Sequence, residues 1–143
     1  MRLLVINGPN LNLLGRREPE LYGTDTLYDI EIMLTKKFPD LKFEFYQSNS
    51  EGVLVDYLQK GMSRAFDGVI LNAGAYTHNS YALRDAVAAL KIPVIELHLS
   101  NVYAREEFRR RSVIAPVCRG IIAGFGAQSY ELAVRALLNI VQK

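Results

Sequence analysis

The sequence predicts an α/β protein whose single domain, residues 1–143, is built on a parallel β-sheet. Two observations support this prediction. Five short apolar runs alternate along the chain with segments of helical periodicity, the order expected when crossover helices join parallel strands. Each run also has the β-branched or aromatic content of a strand covered on both faces. At 143 residues, the chain is long enough to bury a substantial core.

The individual elements follow in chain order. Strands are predicted at residues 2–6, 41–46, 67–73, 93–97 and 120–125. A helix is predicted over residues 26–37, where Thr26 and Asp29 have the spacing of a capping box. The apolar face of that helix consists of Leu27, Ile30, Met33 and Leu34. Further helices are predicted over residues 51–66, 80–90 and 130–141, whereas residues 104–111 can form only a short helical turn.

The number of strands and their alternation with helices indicate the topology of the sheet. Five parallel strands with helices on both faces favour a flavodoxin-like, doubly wound sheet in the order 2-1-3-4-5. In such sheets, ligands bind beyond the carboxyl ends of the strands. The polar segments that follow the predicted strands are therefore the places where a functional site is expected.

Composition and charge narrow the classes of function. The net charge of +2 is too small to argue for binding nucleic acid or a membrane, although it suits a small anionic ligand. The basic run 109–111 follows Glu106 and Glu107, so its local field is mixed. A single cysteine, Cys118, excludes an internal disulfide and fits a reducing compartment. Because the N-terminal apolar run is broken at Asn7, it is too short for a signal peptide or a membrane span, and we expect a cytoplasmic protein.

The first predicted strand leads into a long polar loop, residues 7–24. Within it fall carboxamides, two adjacent arginines and an isolated tyrosine: Asn7, Asn10, Asn12, Arg16, Arg17 and Tyr22. Gly15 and Gly23, with Pro19 between them, are typical of a lid that hinges as a unit. Adjacent arginine charges favour the ionised form of a nearby phenol, which makes Tyr22 a candidate base. The alternative is a polar surface loop whose tyrosine folds over the end of the strand.

Polar side chains also follow the third and fourth predicted strands. They are Asn72 and His78 at the end of strand 3, and Glu96, His98 and Ser100 at the end of strand 4. Because Glu96 and His98 are two residues apart on a strand, their side chains share a face. A carboxylate beside an imidazole fixes its tautomer and favours its protonated form, so His98 is a candidate general acid. The alternative is a histidine–glutamate pair that only caps the edge of the sheet.

Several other chemistries are poorly supported by the residues. Two histidines and one cysteine are too few for a metal centre, and we expect neither a metal nor a cofactor. Ser100 beside His98 resembles a nucleophile pair, but no glycine elbow surrounds the serine. Residues 124–129 form a degraded dinucleotide fingerprint after the last strand, which is more typical of a tight turn. The six lysines lie in helix tails, at the start of strand 2 or at the C-terminus, and are poorly placed for a Schiff base.

The remaining groups suit a cofactor-free dehydratase, which abstracts a proton next to a carbonyl and expels a hydroxyl. Four blocks of the sequence resemble the type II 3-dehydroquinate dehydratase family. They are INGPNLNLLGRREPELYG at 6–23, QSNSEG at 47–52, LNAGAYTHNSYALRDA at 71–86 and IELHLSNVYAREEFRRRS at 95–112. The blocks occur in the family's order at fitting separations, and the resemblance runs nearly from end to end. One departure is Ser129, where many relatives carry glycine before the tyrosine.

The resemblance implies a reaction and a catalytic role for five residues. In this family, 3-dehydroquinate is converted to 3-dehydroshikimate and water without a cofactor, in the shikimate pathway or in quinate breakdown. The matching Tyr22 removes the proton beside the ketone, and Arg17 supports its ionised form and closes with the lid. Asn10 helps to hold a water that stabilises the enolate. His98, oriented by Glu96, gives a proton to the departing hydroxyl.

The resemblance also implies how substrate is held and how subunits assemble. The substrate's hydroxyls and carboxylate would be held by Asn72, His78, Arg109 and the backbone of Leu99 and Ser100. The residue matching Asp85 reaches into a neighbouring subunit's site, and the family assembles as a dodecamer built from trimers. Without the resemblance, Asp85 would be assigned to the solvent-facing side of its helix.

Two functions from other classes stay open on the residues alone. A flavodoxin-like binding or signalling module would need acidic residues or a Ser/Thr-rich phosphate loop after strand 1, where this chain has Asn-Gly-Pro-Asn at 7–10. A serine hydrolase would use Ser100 and His98. Insensitivity to serine-directed inhibitors would separate such a hydrolase from the dehydratase.

Overall fold

A computed structural model describes residues 1–142 and contains a five-stranded parallel sheet in the order β2-β1-β3-β4-β5. The strands are β1 (Arg2–Asn7), β2 (Lys42–Gln47), β3 (Gly68–Asn72), β4 (Val94–His98) and β5 (Gly120–Ala123). The α-helices are α1 (Pro19–Tyr22), α2 (Leu27–Lys37), α3 (Glu51–Gln59), α4 (Tyr81–Ala88) and α5 (Gln128–Val141). The predicted flavodoxin-like topology is therefore confirmed.

Most predicted elements lie within two residues of the observed ones, but three regions differ. α3 ends at Gln59 rather than at residue 66, because a 3₁₀ turn follows it. β5 ends before Gly124, whose φ of 100° is incompatible with a strand. The loop after β1 contains the short helix α1, which begins with Pro19. Proline is tolerated there because the backbone N–H groups of a helix's first turn make no hydrogen bond within the helix. The short turn expected within residues 104–111 is a 3₁₀ turn, Glu107–Arg110.

Side-chain caps fix the starts of α2 and α4. At α2 the predicted capping box is present: the Asp29 backbone donates to Thr26 Oγ1 at 3.1 Å, and the Thr26 backbone donates to Asp29 Oδ2 at 3.0 Å. Ser80 caps α4 by accepting from the backbone N–H of Leu83 at 3.0 Å. Within residues 1–142, no helix is both long enough and apolar enough to cross a membrane.

Two apolar clusters, one on each face of the sheet, form the core. Leu3 and Val5 of β1 belong to the cluster that includes α2 and α5, whereas Leu4 and Ile6 belong to the cluster that includes α3 and α4. This alternation follows from the two-residue period of a strand, and it makes the fold doubly wound. All four β1 side chains are fully buried, so β1 is a fixed base for the loop that follows it.

The ends of β1 and β3 are in direct backbone contact. The N–H of Gly8 donates to the carbonyl of Asn72 at 2.7 Å. A Cβ added to Gly8 would lie 2.5 Å from the carbonyl oxygen of Ala73, so any side chain at this position would push the two segments apart. The contact brings the loop after β1 against the polar segment after β3.

Candidate active site

The carboxyl ends of β1, β3 and β4 open into one pocket, as predicted for this class of sheet. The predicted site residues that line it are Asn10, Arg17, Tyr22, Asn72, His78, His98, Leu99, Ser100 and Arg109. Two predicted residues do not line it. Glu96 lies behind His98, and Asp85 is exposed on α4.

Tyr22 is held in the pocket by an arginine from its own loop. The Arg17 Nη2 donates to the Tyr22 hydroxyl at 2.8 Å, and the Arg17 Cζ lies 4.0 Å from the centre of the phenol ring. Tyr22 is only 8% exposed, so this contact is shielded from bulk water. A cation bonded to a shielded phenol oxygen stabilises the phenolate, which is the form that a base requires.

A second arginine, Arg105, was missed by the sequence analysis. Its Cζ lies 5.2 Å from the centre of the Tyr22 ring, and its Nη1 donates to Ser100 Oγ at 3.3 Å. The Arg105 Nε is buried and finds no acceptor within residues 1–142. Arg105 lies in the segment that follows β4, and a position beyond the carboxyl end of a strand was a usable signal for a site residue.

The predicted histidine–carboxylate pair is present and buried. His98 Nε2 lies 2.9 Å from Glu96 Oε2, and the two residues are 7% and 3% exposed. An ionised Glu96 accepts from the Nε2–H, which leaves Nδ1 as the atom available to a ligand. The other carboxylate oxygen, Oε1, accepts from the Ser112 hydroxyl at 2.6 Å. The carboxylate is therefore bonded through both of its oxygens.

His78 lies beside His98, with ring centres 6.4 Å apart and planes inclined by 14°. Its Nδ1 donates to the carbonyl of Arg111 at 2.8 Å. Burial lowers the pKa of His78, and the charges of His98 and Arg109 act in the same direction. The ring is therefore neutral near pH 7, and its Nε2 is free to accept a hydrogen bond.

A buried hydrogen-bond network fixes Asn72 at the floor of the pocket. Asn72 Nδ2 donates to the hydroxyl of Tyr130 at 3.2 Å, and that hydroxyl donates in turn to Asn7 Oδ1. Asn72 Oδ1 accepts from the backbone N–H of Gly74 at 3.3 Å. Burial raises the pKa of Tyr130, so its hydroxyl keeps its proton and remains a donor. Tyr130 comes from α5, far along the chain, and the sequence analysis gave it no role.

The second resemblance block, residues 47–52, supports the loop that carries Asn10. Asn10 adopts a left-handed conformation with φ 68°, and its backbone N–H donates to Asn49 Oδ1 at 3.0 Å. Gln47 Nε2 donates to the carbonyl of Gly8 at 3.1 Å. These contacts hold Asn10 at the rim of the pocket although neither Gln47 nor Asn49 lines it.

The arrangement does not support the rival chemistries. Ser100 Oγ accepts from Arg105 at 3.3 Å, and no hydrogen bond within residues 1–142 joins it to His98, so the nucleophile pair of a hydrolase is not formed. Residues 124–129 make a tight turn into α5, with Gly124 and Gly126 at φ 100° and 58°. Among residues 1–142, no three histidine, cysteine, aspartate or glutamate side chains are grouped to hold a metal ion.

The fold and the site together are typical of an enzyme that catalyses proton transfer. The pocket at the carboxyl edge of the sheet contains an arginine-bound phenol and a carboxylate-bound imidazole, and these groups suit proton removal and proton donation respectively.

Comparison with known proteins identifies the family. A family model described as "Dehydroquinase class II" matches residues 1–138. The 3-dehydroquinate dehydratases of Pelodictyon phaeoclathratiforme and Bacillus licheniformis are 59% and 56% identical to this chain; the alignments cover 98% and 99% of it and 93% and 98% of those proteins. The crystal structure of a type II dehydroquinase from Butyrivibrio crossotus superposes with a TM-score of 0.93 at 46% identity, over 96% of this chain and 97% of that one. The chain therefore belongs to the class II dehydroquinase family, and it is a lyase that catalyses a dehydration.

Proposed function

We propose that this enzyme converts 3-dehydroquinate to 3-dehydroshikimate and water. The main support for the proposal is that the phenol of Tyr22 and the imidazole of His98 line the same pocket. Arg17 suits the phenol to removing a proton, and Glu96 suits the imidazole to donating one. An elimination beside a ketone needs one base and one acid. The relatives from Pelodictyon and Bacillus, which are named for this substrate, support the same assignment.

In the first proposed step, the phenolate of Tyr22 removes a proton from the carbon beside the substrate's ketone. Arg17 stabilises the phenolate through the 2.8 Å contact with its oxygen. The electron pair of the broken C–H bond moves toward the carbonyl and forms an enolate, which must be stabilised by donors already in place. Asn10, held at the rim by Asn49, is the residue we assign to binding a water at the enolate oxygen.

In the second proposed step, the enolate returns its electron pair to form the carbon–carbon double bond, and the C–O bond to the hydroxyl breaks. His98 gives its Nδ1 proton to the departing oxygen, so the leaving group is water rather than hydroxide. Glu96 Oε2, 2.9 Å from His98 Nε2, accepts the Nε2–H, and this contact keeps Nδ1 directed at the substrate.

Residues around the acid and the base would hold the substrate. We assign its hydroxyls and carboxylate to Asn72, His78, Arg109 and the backbone of Leu99 and Ser100. The neutral His78 can accept from a hydroxyl through Nε2, and successive backbone N–H groups can form a nest for a carboxylate. Three arginines line the pocket, namely Arg17, Arg105 and Arg109. One carboxylate, Glu106, lies 3.9 Å from Arg105 Nε and 3.2 Å from Arg109 Nε, so the three charges are only partly balanced and favour an anionic ligand.

We further propose that the enzyme is a cytoplasmic homododecamer built from trimers, with Asp85 contributed to a neighbouring subunit's site. Asp85 is exposed on α4 and does not line the pocket of its own chain. The pocket has arginines but no aspartate or glutamate in its own lining, so a carboxylate from a neighbour would complement its charge.

The test is a direct assay of the reaction. Purified protein is mixed with 3-dehydroquinate, and the ultraviolet absorbance of the conjugated enone product is followed with time. We expect absorbance to rise at a rate proportional to enzyme concentration and to be unchanged by added nicotinamide or flavin cofactors. No absorbance from folded protein, verified by circular dichroism, would overturn the proposal.

A further inference from the structure

The Ser112 hydroxyl, directly behind the acid pair, has no role in the proposed reaction. Its Oγ accepts from the backbone N–H groups of Ile114 and Ala115, at 3.2 and 2.9 Å. Both amide hydrogens therefore point at the oxygen, and the hydroxyl's only hydrogen is directed to Glu96 Oε1 at 2.6 Å. The short turn at residues 112–115 thus fixes the direction in which Ser112 donates.

The segment that carries Ser112 is itself firmly held. The backbone N–H of Val113 donates to the carbonyl of Thr77 at 2.9 Å, and Arg84 Nη1 of α4 donates to the carbonyl of Val113 at 3.0 Å. Ile114 is fully buried in the apolar cluster that includes α3 and α4. Ser112 is therefore a fixed donor, anchored to elements other than the strand that carries Glu96.

The Glu96 carboxylate depends on this donor. Glu96 is 3% exposed, and a buried carboxylate is costly unless its oxygens are hydrogen-bonded. His98 occupies Oε2 and Ser112 occupies Oε1, so removing either partner would leave one oxygen without a protein donor. Such a carboxylate would turn toward other donors, and it would then cease to direct His98.

We propose that Ser112 is a positioning residue for the dehydration: it fixes the orientation of the Glu96 carboxylate so that Glu96 in turn directs His98 at the leaving hydroxyl. The inference rests on the proposed function, in which His98 is the acid. Ser112 would extend the His98–Glu96 pair to three residues, on the side away from the substrate. The inference predicts that this one hydroxyl, outside the pocket, controls the acid step.

The structure offers a conservative substitution for the test. A second cavity, on the side of the acid pair away from Tyr22, is lined by Thr77, Glu96, His98 and Ser112 among others. Ser112→Thr keeps the hydroxyl and adds one methyl group at a residue that borders this cavity. Ser112→Ala removes the hydroxyl. Ser63→Ala is the matched control, because Ser63 Oγ also accepts from a nearby backbone N–H, that of Ala65, at 3.2 Å but lies outside both cavities.

Steady-state kinetics with 3-dehydroquinate provide the first readout. In Ser112→Ala we expect kcat to fall about tenfold or more, short of the roughly 10²–10⁴-fold worth of the acid itself, with KM within about twofold. Ser112→Thr should restore most of kcat, and Ser63→Ala should match the wild type. In a Glu96→Gln background, Ser112→Ala should have little further effect, because its action passes through Glu96. A wild-type kcat in Ser112→Ala, or an undiminished loss in the Glu96→Gln background, would overturn the inference.

A spectroscopic readout separates this inference from the proposed function. The chain has two histidines, so ¹⁵N-histidine labelling gives a simple spectrum in which His98→Asn identifies the His98 signals. Ser112→Ala should shift or broaden the His98 ring signals, whereas Ser63→Ala should leave them unchanged. An unchanged His98 spectrum would count against Ser112 whatever the activity. Wild-type protein that is inactive on 3-dehydroquinate, yet shows the predicted change, would contradict only the proposed function.

Discussion

At the residue scale, the mechanism that we propose depends on making a phenol ionise near neutral pH. A free phenol has a pKa of about 10, so roughly one in a thousand is ionised at pH 7, and reaching that state costs about 4 kcal/mol. A positive charge in contact with the oxygen favours the ionised form and reduces this cost. The Arg17 contact at 2.8 Å supplies such a charge, and Arg105 adds a second cation 5.2 Å from the ring centre.

Replacing Tyr22 with phenylalanine tests its role as the base. The ring and its packing are kept and only the hydroxyl is removed, so kcat should fall by about 10²–10⁴ with a smaller change in KM. The measurement is steady-state kinetics of enone formation. Tyr28→Phe is the control, because Tyr28 is 68% exposed and outside the pocket. A Tyr22→Phe enzyme with near-normal kcat would end this mechanism.

Replacing Arg17 with alanine tests whether it supports the phenolate. Activity requires the ionised phenol, so without the nearby cation a higher pH is needed for ionisation. The rising limb of kcat against pH should move upward, and kcat at neutral pH should fall. Arg16→Ala is the matched control, since Arg16 is adjacent, exposed and absent from the pocket lining. A slow Arg17→Ala enzyme with an unshifted limb would leave Arg17 only a role in closing the lid.

At the element scale, periodic patterns predicted the sheet and its flanking helices, because a strand or a long helix needs a repeated apolar face. Boundaries set by a single backbone conformation were less predictable. The end of β5 depends on the φ of Gly124, and α1 is a single turn within a polar loop. Neither feature repeats apolar residues at a regular spacing, so neither could be recognised from hydrophobic periodicity.

Site residues at the ends of strands could be predicted from the sequence, whereas residues that reach the site through long-range contacts could not. Glu96 and His98 are neighbours on one strand, so their pairing could be predicted from a two-residue spacing. Tyr130 reaches Asn7 across 123 positions of sequence, and Ser112 reaches Glu96 across 16. Such partners depend on how α5 and the segment after β4 pack on the sheet, which no local pattern specifies.

The contact between α5 and the strand ends predicts a stability effect for Tyr130→Phe. The change removes a fully buried hydroxyl and leaves Asn7 Oδ1 and Asn72 Nδ2 each short of a partner. An unsatisfied buried polar group costs about 1–3 kcal/mol, so the free energy of unfolding should fall by that amount. Urea denaturation followed by circular dichroism measures it. Tyr103→Phe, at a side chain 63% exposed, should change stability by no more than about 0.5 kcal/mol; an equal loss in both variants would contradict the role of the network.

At the scale of the whole molecule, we predict that catalysis uses neither an imine nor a metal. None of the lysines among residues 1–142 lines the pocket, so no amine in this part of the chain is placed to attack the substrate's ketone. Activity should survive borohydride in the presence of substrate and should survive prolonged chelation. Enzyme assays before and after each treatment, with intact-protein mass spectrometry, provide the measurement. Inactivation by borohydride with the substrate's mass on a lysine would show that an imine is used.

Sharing of sites between subunits is the last prediction. Asp85 is exposed on α4 while its own pocket has three arginines and no carboxylate in its lining, so we expect Asp85→Ala to weaken binding of 3-dehydroquinate in the oligomer. The oligomer with Tyr22→Phe in every chain should be nearly inactive.

Mixing the two variants provides the decisive measurement. Oligomers refolded from Asp85→Ala and Tyr22→Phe chains would contain some sites with Tyr22 from one chain and Asp85 from its neighbour, and activity should exceed the average of the two parents. Mixing Tyr22→Phe with Arg17→Ala is the control, because those residues contact each other within one chain at 2.8 Å and no exchange of subunits can reunite them. Native mass spectrometry verifies that mixed oligomers have formed. Activity in them no higher than the parental average would show that each site is complete within its own chain.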